Sequence, residues 1–144
     1  MEVNMYIHET KIKVRYAETD QMGIVHHSNY YIWFELARTE FFEAIALPYD
    51  LIERDGIMFP LVESSCIYKE SARYAENLII KAWIEEIKGM KFTFLYQVIR
   101  EEDKRVLAIG KTIHVPVDKN MKLINLKKKN PRLLETIKAV ISAK

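Results

Sequence analysis

Apolar and polar residues alternate strictly over 11–16: Ile12, Val14 and Tyr16 share one face, Lys11, Lys13 and Arg15 the other. That two-residue period predicts a half-buried strand. After a polar stretch the period lengthens. Over 30–47, Tyr30, Phe34, Ala37, Phe41 and Ala44 recur at helical spacing, and Ile32, Trp33, Leu36, Phe42 and Ile45 widen the apolar stripe. The polar positions there are few (Glu35, Arg38, Thr39, Glu40, Glu43), which predicts a helix largely enclosed by other elements. Ser28 or Asn29 can cap its first turn, and Pro48 ends it.

Four segments rich in β-branched and aromatic residues follow, at 58–69, 78–88, 91–101 and 105–117, and read as strands. The breaks between them, at 74–77, 88–89 and 101–104, are too short for parallel crossovers, so a meander is expected. Pro131, capped by Asn130, opens a last helix with Leu133, Leu134, Ile137, Val140 and Ile141 on one face. The pattern predicts an α+β protein, a five-stranded antiparallel sheet wrapped around one long central helix. Such a sheet exposes its edges, so self-association as a homodimer or homotetramer is expected.

Composition narrows the picture. With 144 residues, the expectation is one domain spanning 1–144. A formal net charge of +2 gives no global sign of a nucleic-acid partner, and Lys127, Lys128, Lys129 and Arg132 read as a solvated patch. The single cysteine, Cys66, precludes an internal disulfide and reads as a small buried strand residue. No apolar run approaches the ~20 residues of a membrane span, and no leader-like segment opens the chain. A cytoplasmic protein without membrane insertion is expected.

Residues 16–31 hold the densest chemistry: Tyr16, Glu18, Asp20, Gly23, His26, His27, Asn29, Tyr30 and Tyr31 in a single connection between strand and helix. An ionised Asp20 can attack an electrophilic carbonyl or activate water against it. His27 can donate or accept a proton near neutral pH. Tyr16 can hydrogen-bond a carboxylate or an oxyanion, and the helix N-terminus offers N–H groups to a negative oxygen. Asp20, His26 and His27 are also metal-ligand types, but adjacent histidines are expected to point apart and no spaced third ligand is evident, so no metal is assigned. His8 and His114 read as strand histidines with hydrogen-bonding roles.

The run 16–30, YAETDQMGIVHHSNY, followed by FELARTE at 34–40, resembles the hotdog-fold acyl-CoA thioesterases, most closely the 4-hydroxybenzoyl-CoA thioesterase-like group and its Tol–Pal-associated branch. The stretch YKESARY at 68–74 is similar to that group's strand ending in a Pro-Ala-Arg-like turn. The resemblance implies a hotdog fold, hydrolysis of a CoA thioester and active sites at a subunit interface. It assigns catalysis to Asp20, with Tyr16 and His27 assisting. His26, where that branch often carries an aromatic residue, and Ser71 in place of proline depart from the pattern.

CoA is then part of the substrate, and no cofactor is required. Lys88 and Lys91, flanking Gly89, are candidates to meet its phosphates, with Lys127, Lys128 and Lys129 weaker ones. The acyl pocket is expected to involve the aromatic helix face with Phe59, Leu61 and Val62. Two other readings remain open: a hotdog hydratase or dehydratase acting on acyl thioesters, and a non-catalytic acyl-CoA-binding protein.

Overall fold

The computed structural model describes residues 5–141. Strands β1 (His8–Lys13), β2 (Leu61–Tyr68), β3 (Asn77–Lys88), β4 (Lys91–Arg100) and β5 (Val106–His114) form one antiparallel sheet ordered β1-β3-β4-β5-β2. Helix α1 (Ser28–Ala44) lies across it and buries Tyr30, Trp33, Phe34, Ala37, Phe41 and Phe42. Phe34 stacks on Tyr96 of β4 at 4.4 Å between centroids. Its ring also fills the space above Gly110 of β5, where any Cβ would collide with it. The small residue in β5 is therefore what lets the helix approach the sheet. Exchanging Phe34 for alanine would cost about 3–5 kcal/mol.

The first strand lies three residues earlier than 11–16 would suggest, starting at His8 and ending at Lys13, and Tyr16 leaves its face altogether. The meander holds for β3, β4 and β5 but not for β2. That strand sits at the far edge beside β5, and the 69–76 connection passes the strand ends to reach β3. Lys69 and Glu70 donate to the Leu107 carbonyl on the way, at 2.8 and 3.1 Å, and Val14 donates to the Glu76 carbonyl at 2.9 Å. These backbone bonds hold the crossing in place of a hairpin turn.

The helix also stops short of 47. Ala46 adopts a left-handed φ of 66°, and the Ala46 and Leu47 N–H groups return to the Glu43 and Phe42 carbonyls at 3.0 and 2.8 Å. This is a Schellman end. Pro48 then caps a short helix not expected from the pattern, α2 (Tyr49–Arg54), rather than ending α1. Near the other end, α3 (Leu126–Lys129) precedes α4 (Pro131–Ala139), whose Asn130 cap accepts the Leu133 N–H at 3.0 Å as expected.

Not all of the greasy helix is enclosed. Ile32 and Leu36 are 54% and 41% exposed, and edge strand β2 shows Leu61, Val62, Ile67 and Tyr68 to solvent.

Candidate active site

The loop from β1 to α1 is organised by a buried carboxylate. Glu18, 5% exposed, accepts the Arg15 backbone N–H at 2.8 Å, the Trp33 indole N–H at 3.0 Å and the Arg15 guanidinium at 3.3 Å. Burial alone would raise its pKa, but these donors outweigh that and hold it below the ordinary carboxylate range. Its backbone carbonyl accepts the His26 N–H and the Asn29 amide, both at 2.9 Å. One residue therefore ties both ends of the loop to the helix. The sequence reading assigned Glu18 no role. The signal lay in Trp33, since a core indole needs an acceptor for its N–H.

Asp20 sits at the tip of this loop, with Oδ1 accepting the Met22 N–H at 2.8 Å. Its backbone pairs on both sides, Asp20 N–H to the Ile24 carbonyl at 2.8 Å and Gly23 N–H to the Asp20 carbonyl at 2.9 Å. Gly23 turns at φ 79°, a conformation that favours glycine. Among the described residues no donor meets Oδ2 of Asp20. The turn thus fixes one oxygen and leaves the other free.

His27, not Ser28 or Asn29, occupies the N-cap of α1, and its side chain makes no capping bond. Asn29 is drawn instead to the Glu18 carbonyl. The adjacent histidines do not point apart: their rings stack at 4.2 Å and 30°. The helix start folds them together, because His26 Nδ1 accepts the Ser28 N–H at 3.2 Å and lies 2.8 Å from its hydroxyl. The His27 ring also meets Tyr68 edge-on at 6.5 Å. Among the described residues no acceptor takes the His27 backbone N–H.

Asp20 and His27 line one cavity of about 230 Å³, together with Met22, Val25, Tyr30 and Tyr68. Ile24, Lys69, Glu70 and Ser71 complete its wall. That wall is braced from behind: Arg105 pairs with Glu70 at 2.7 Å, and the Val25 N–H donates to the Ala72 carbonyl at 2.9 Å. Burial, then the neighbouring Cys66, push the Tyr68 phenol up, so it remains a donor at neutral pH. Burial raises the half-buried Cys66 thiol as well, in keeping with a strand residue rather than a nucleophile.

The other expected site residues lie elsewhere. Tyr16 opens a 3-10 turn, is 77% exposed, and packs edge-on against Tyr74 at 5.7 Å, outside the cavity. The turn forms because Glu18 draws the Arg15 N–H inward, which ends the strand before Tyr16. Lys88 and Lys91 face each other across the β3–β4 hairpin, at the opposite end of a 12-residue strand. At ~3.3 Å per residue, that places them roughly 36 Å from the loop end of the same chain. Lys69, which the sequence reading passed over, is the lysine at the cavity. Leu61 and Val62 lie exposed on the β2 edge, whereas Phe59 packs on Phe92. His8 bonds the Tyr6 hydroxyl and Glu40, at 2.7 and 3.1 Å, as a strand histidine should. Among the described residues, no three His, Cys, Asp or Glu side chains gather closely enough to hold a metal ion.

A five-stranded antiparallel sheet laid on one long helix is the hotdog arrangement. The model of the thioesterase-like superfamily matches residues 14–140, and the chain belongs to that family. It is 36% identical over 129 residues to a Bacillus subtilis protein named as an acyl-CoA thioesterase, YneP, covering 88% of this chain and 92% of that one. Among solved structures, a DHNA-CoA thioesterase from Staphylococcus aureus superposes with a TM-score of 0.87 at 30% identity, covering 93% of this chain and 90% of that one. A gentisyl-coenzyme A thioesterase superposes with a TM-score of 0.76 at 26% identity, covering 84% and 97%.

Proposed function

We propose that residues 1–144 act as one hotdog domain that hydrolyses an acyl-CoA thioester to free acid and CoA. The observation carrying this reading is that Asp20 and His27 line one cavity, one Asp20 oxygen and the His27 N–H having no partner among the described residues. A thioester carbonyl between them would have its carbon toward Asp20 and its oxygen toward the His27 N–H. Negative charge developing on that oxygen is stabilised by the N–H and by the positive end of α1. Asp20 either adds to the carbonyl carbon, forming a mixed anhydride that water then cleaves, or takes a proton from the attacking water. In both routes the C–S bond breaks, the electron pair leaves on sulfur, and the His27 imidazole can supply the proton to the thiolate. Tyr16, outside the cavity and packed on Tyr74, takes no direct part in these steps.

The acyl group we assign is aromatic. Tyr30 and Tyr68 supply phenol walls to the cavity, and the relatives named above include enzymes named for DHNA-CoA and gentisyl-CoA. The attribution to the Tol–Pal-associated branch rests on the loop sequence alone. Self-association completes the proposal. The unpaired β2 edge, with its exposed apolar side chains, is suited to pairing with a second β2. Antiparallel pairing about a two-fold axis reverses the partner, which brings its Lys88–Lys91 hairpin toward the loop end of this chain. The cations meeting CoA are then Lys69 from one protomer and Lys88 and Lys91 from the other.

Thiol release from a panel of aromatic, short-chain and long-chain acyl-CoAs tests the activity. Turnover fastest on the aromatic members is expected, and no thiol release from any member overturns the reading. Sedimentation tests the assembly: a monomer at micromolar concentration would remove the Lys88 and Lys91 assignment while leaving Asp20 untouched.

A further inference from the structure

Positive charge is concentrated at the end of the molecule opposite Asp20. Between Lys119 and Lys138 the sequence carries seven lysines and arginines and one carboxylate, Glu135; in the rest of the chain 19 carboxylates outnumber 15 cations. Among the described residues, none of those seven takes part in an ion pair. The same end presents apolar side chains to water. Met121 and Leu123 are 62% and 60% exposed, with Lys119 and Lys122 interleaved.

The segment bearing them is built, not slack. Val117 pairs with Leu123, the Met121 N–H donates to the Asp118 carbonyl at 3.0 Å, and Asp118 Oδ1 accepts from the Asn120 and Lys122 N–H groups at 2.8 and 3.1 Å. Met121 occupies the left-handed region at φ 62°, where glycine or asparagine is favoured. The fold thus holds a strained, solvent-facing methionine at the tip of a tight turn. The α3–α4 lysines stand on the same end: Lys127 and Lys138 flank a groove with Met90 and Pro116, and the Ile124 N–H is tied to the Pro116 carbonyl at 3.1 Å.

We propose that this tip is a docking surface for an anionic lipid bilayer, with Met121 and Leu123 entering the headgroup region and the surrounding lysines meeting lipid phosphates. Apolar insertion and cationic attraction act together in such attachment, and neither part alone gives firm binding. The charge complementarity and the paired exposed apolar tips favour a bilayer over an acidic protein partner. No described helix is long and apolar enough to cross a membrane.

The test is sedimentation of the full chain with vesicles of phosphatidylcholine alone or with about a third phosphatidylglycerol. Binding to the anionic vesicles, weakened by salt, is expected, with little binding to phosphatidylcholine. Met121→Asp/Leu123→Asp and, separately, Lys119→Glu/Lys122→Glu should each lower vesicle binding about tenfold or more. Thiol release from soluble acyl-CoA and the far-ultraviolet spectrum should be unchanged in both, so a folding defect or a failure of the thioesterase reading is distinguishable. Absence of vesicle binding at low salt overturns the proposal. So does full binding by the Met121/Leu123 variant, which would reduce the surface to a general polyanion patch.

Discussion

Two clusters of polar and titratable side chains lie against α1, one at its start and one farther along at Arg38, and they differ in what is left unpaired. At the loop end, one Asp20 oxygen and the His27 N–H have no partner among the described residues, beside a cavity of about 230 Å³. Farther along the helix, Arg38 donates to the Tyr49 and Tyr96 hydroxyls at 3.1 and 3.0 Å. Tyr96 lies 2.6 Å from the Thr112 hydroxyl, Thr112 lies 2.9 Å from His114 Nε2, and His114 Nδ1 lies 3.1 Å from the Phe59 carbonyl. Because the carbonyl can only accept, His114 carries its proton on Nδ1. Thr112 then donates to Nε2, and Tyr96 donates to Thr112. The proton order is consistent from Arg38 to Phe59, and Phe42, Phe92 and Phe94 close around it. Residue types suited to catalysis occur in both places. Only the loop end leaves valence and space for a substrate, whereas the closed chain satisfies its own members and fixes how α1 sits on the sheet.

The largest separation of the two regions is expected from Asp20→Asn. It should lower kcat for thiol release at least about a hundredfold, the low end of what a positioned acid–base group supplies, with the urea midpoint unchanged. Unchanged turnover would erase the distinction from one side.

The closed region should announce itself in pH. Burial, then the Arg38 charge, lower the His114 pKa from 6.5 to about 4, so the folded state resists a proton that the unfolded chain accepts below 6.5. The unfolded state binds more protons between those values, and stability must therefore fall as pH drops from about 7 to 4. The shift corresponds to about 3 kcal/mol, read from urea midpoints across that range. His114→Gln should flatten this profile; a profile equally steep in that variant would assign the pH dependence to other groups.

Thr112→Val removes the central hydroxyl and leaves Tyr96 and His114 each short of a partner. About 2 kcal/mol of stability should be lost, with kcat within a few-fold of wild type. Glu18→Gln tests the link between rigidity and chemistry. Loss of the charged acceptor for Arg15 should cost about 1 kcal/mol and slow turnover through a looser Asp20 loop. Comparison of urea midpoint and kcat for this variant reads the two effects separately. The smallest effect belongs to Tyr16→Phe: less than about a threefold change in kcat, given a side chain 77% exposed and outside the cavity. A hundredfold loss there would place the phenol in the reaction after all.

The elements were legible where periodicity was clean. The β3, β4 and β5 segments and the Asn130-capped helix lie within a few residues of the expected bounds. Adjacent chain did not reveal that β4 and β5 separate the edge strand β2 from β3, because the 69–76 crossing is held by backbone bonds to Leu107 and Val14 that involve no distinctive side chain. Asp20 and His27, which the structure brings to one cavity, could be singled out from residue type and proximity to the helix start. Tyr16 misled because the alternation of 11–16 continues in sequence past the point where Glu18 turns the backbone. Lys69 and Tyr68 were hidden by distance in sequence: they reach the cavity only once β2 has crossed to the far edge of the sheet.

The most direct measurement is a crystal structure of the Asp20→Asn variant holding an intact aromatic acyl-CoA. The account predicts the thioester carbon within about 3.5 Å of the residue-20 side chain, with its oxygen turned to the His27 N–H. A thioester lodged elsewhere, with the 20–27 cavity empty, would contradict it.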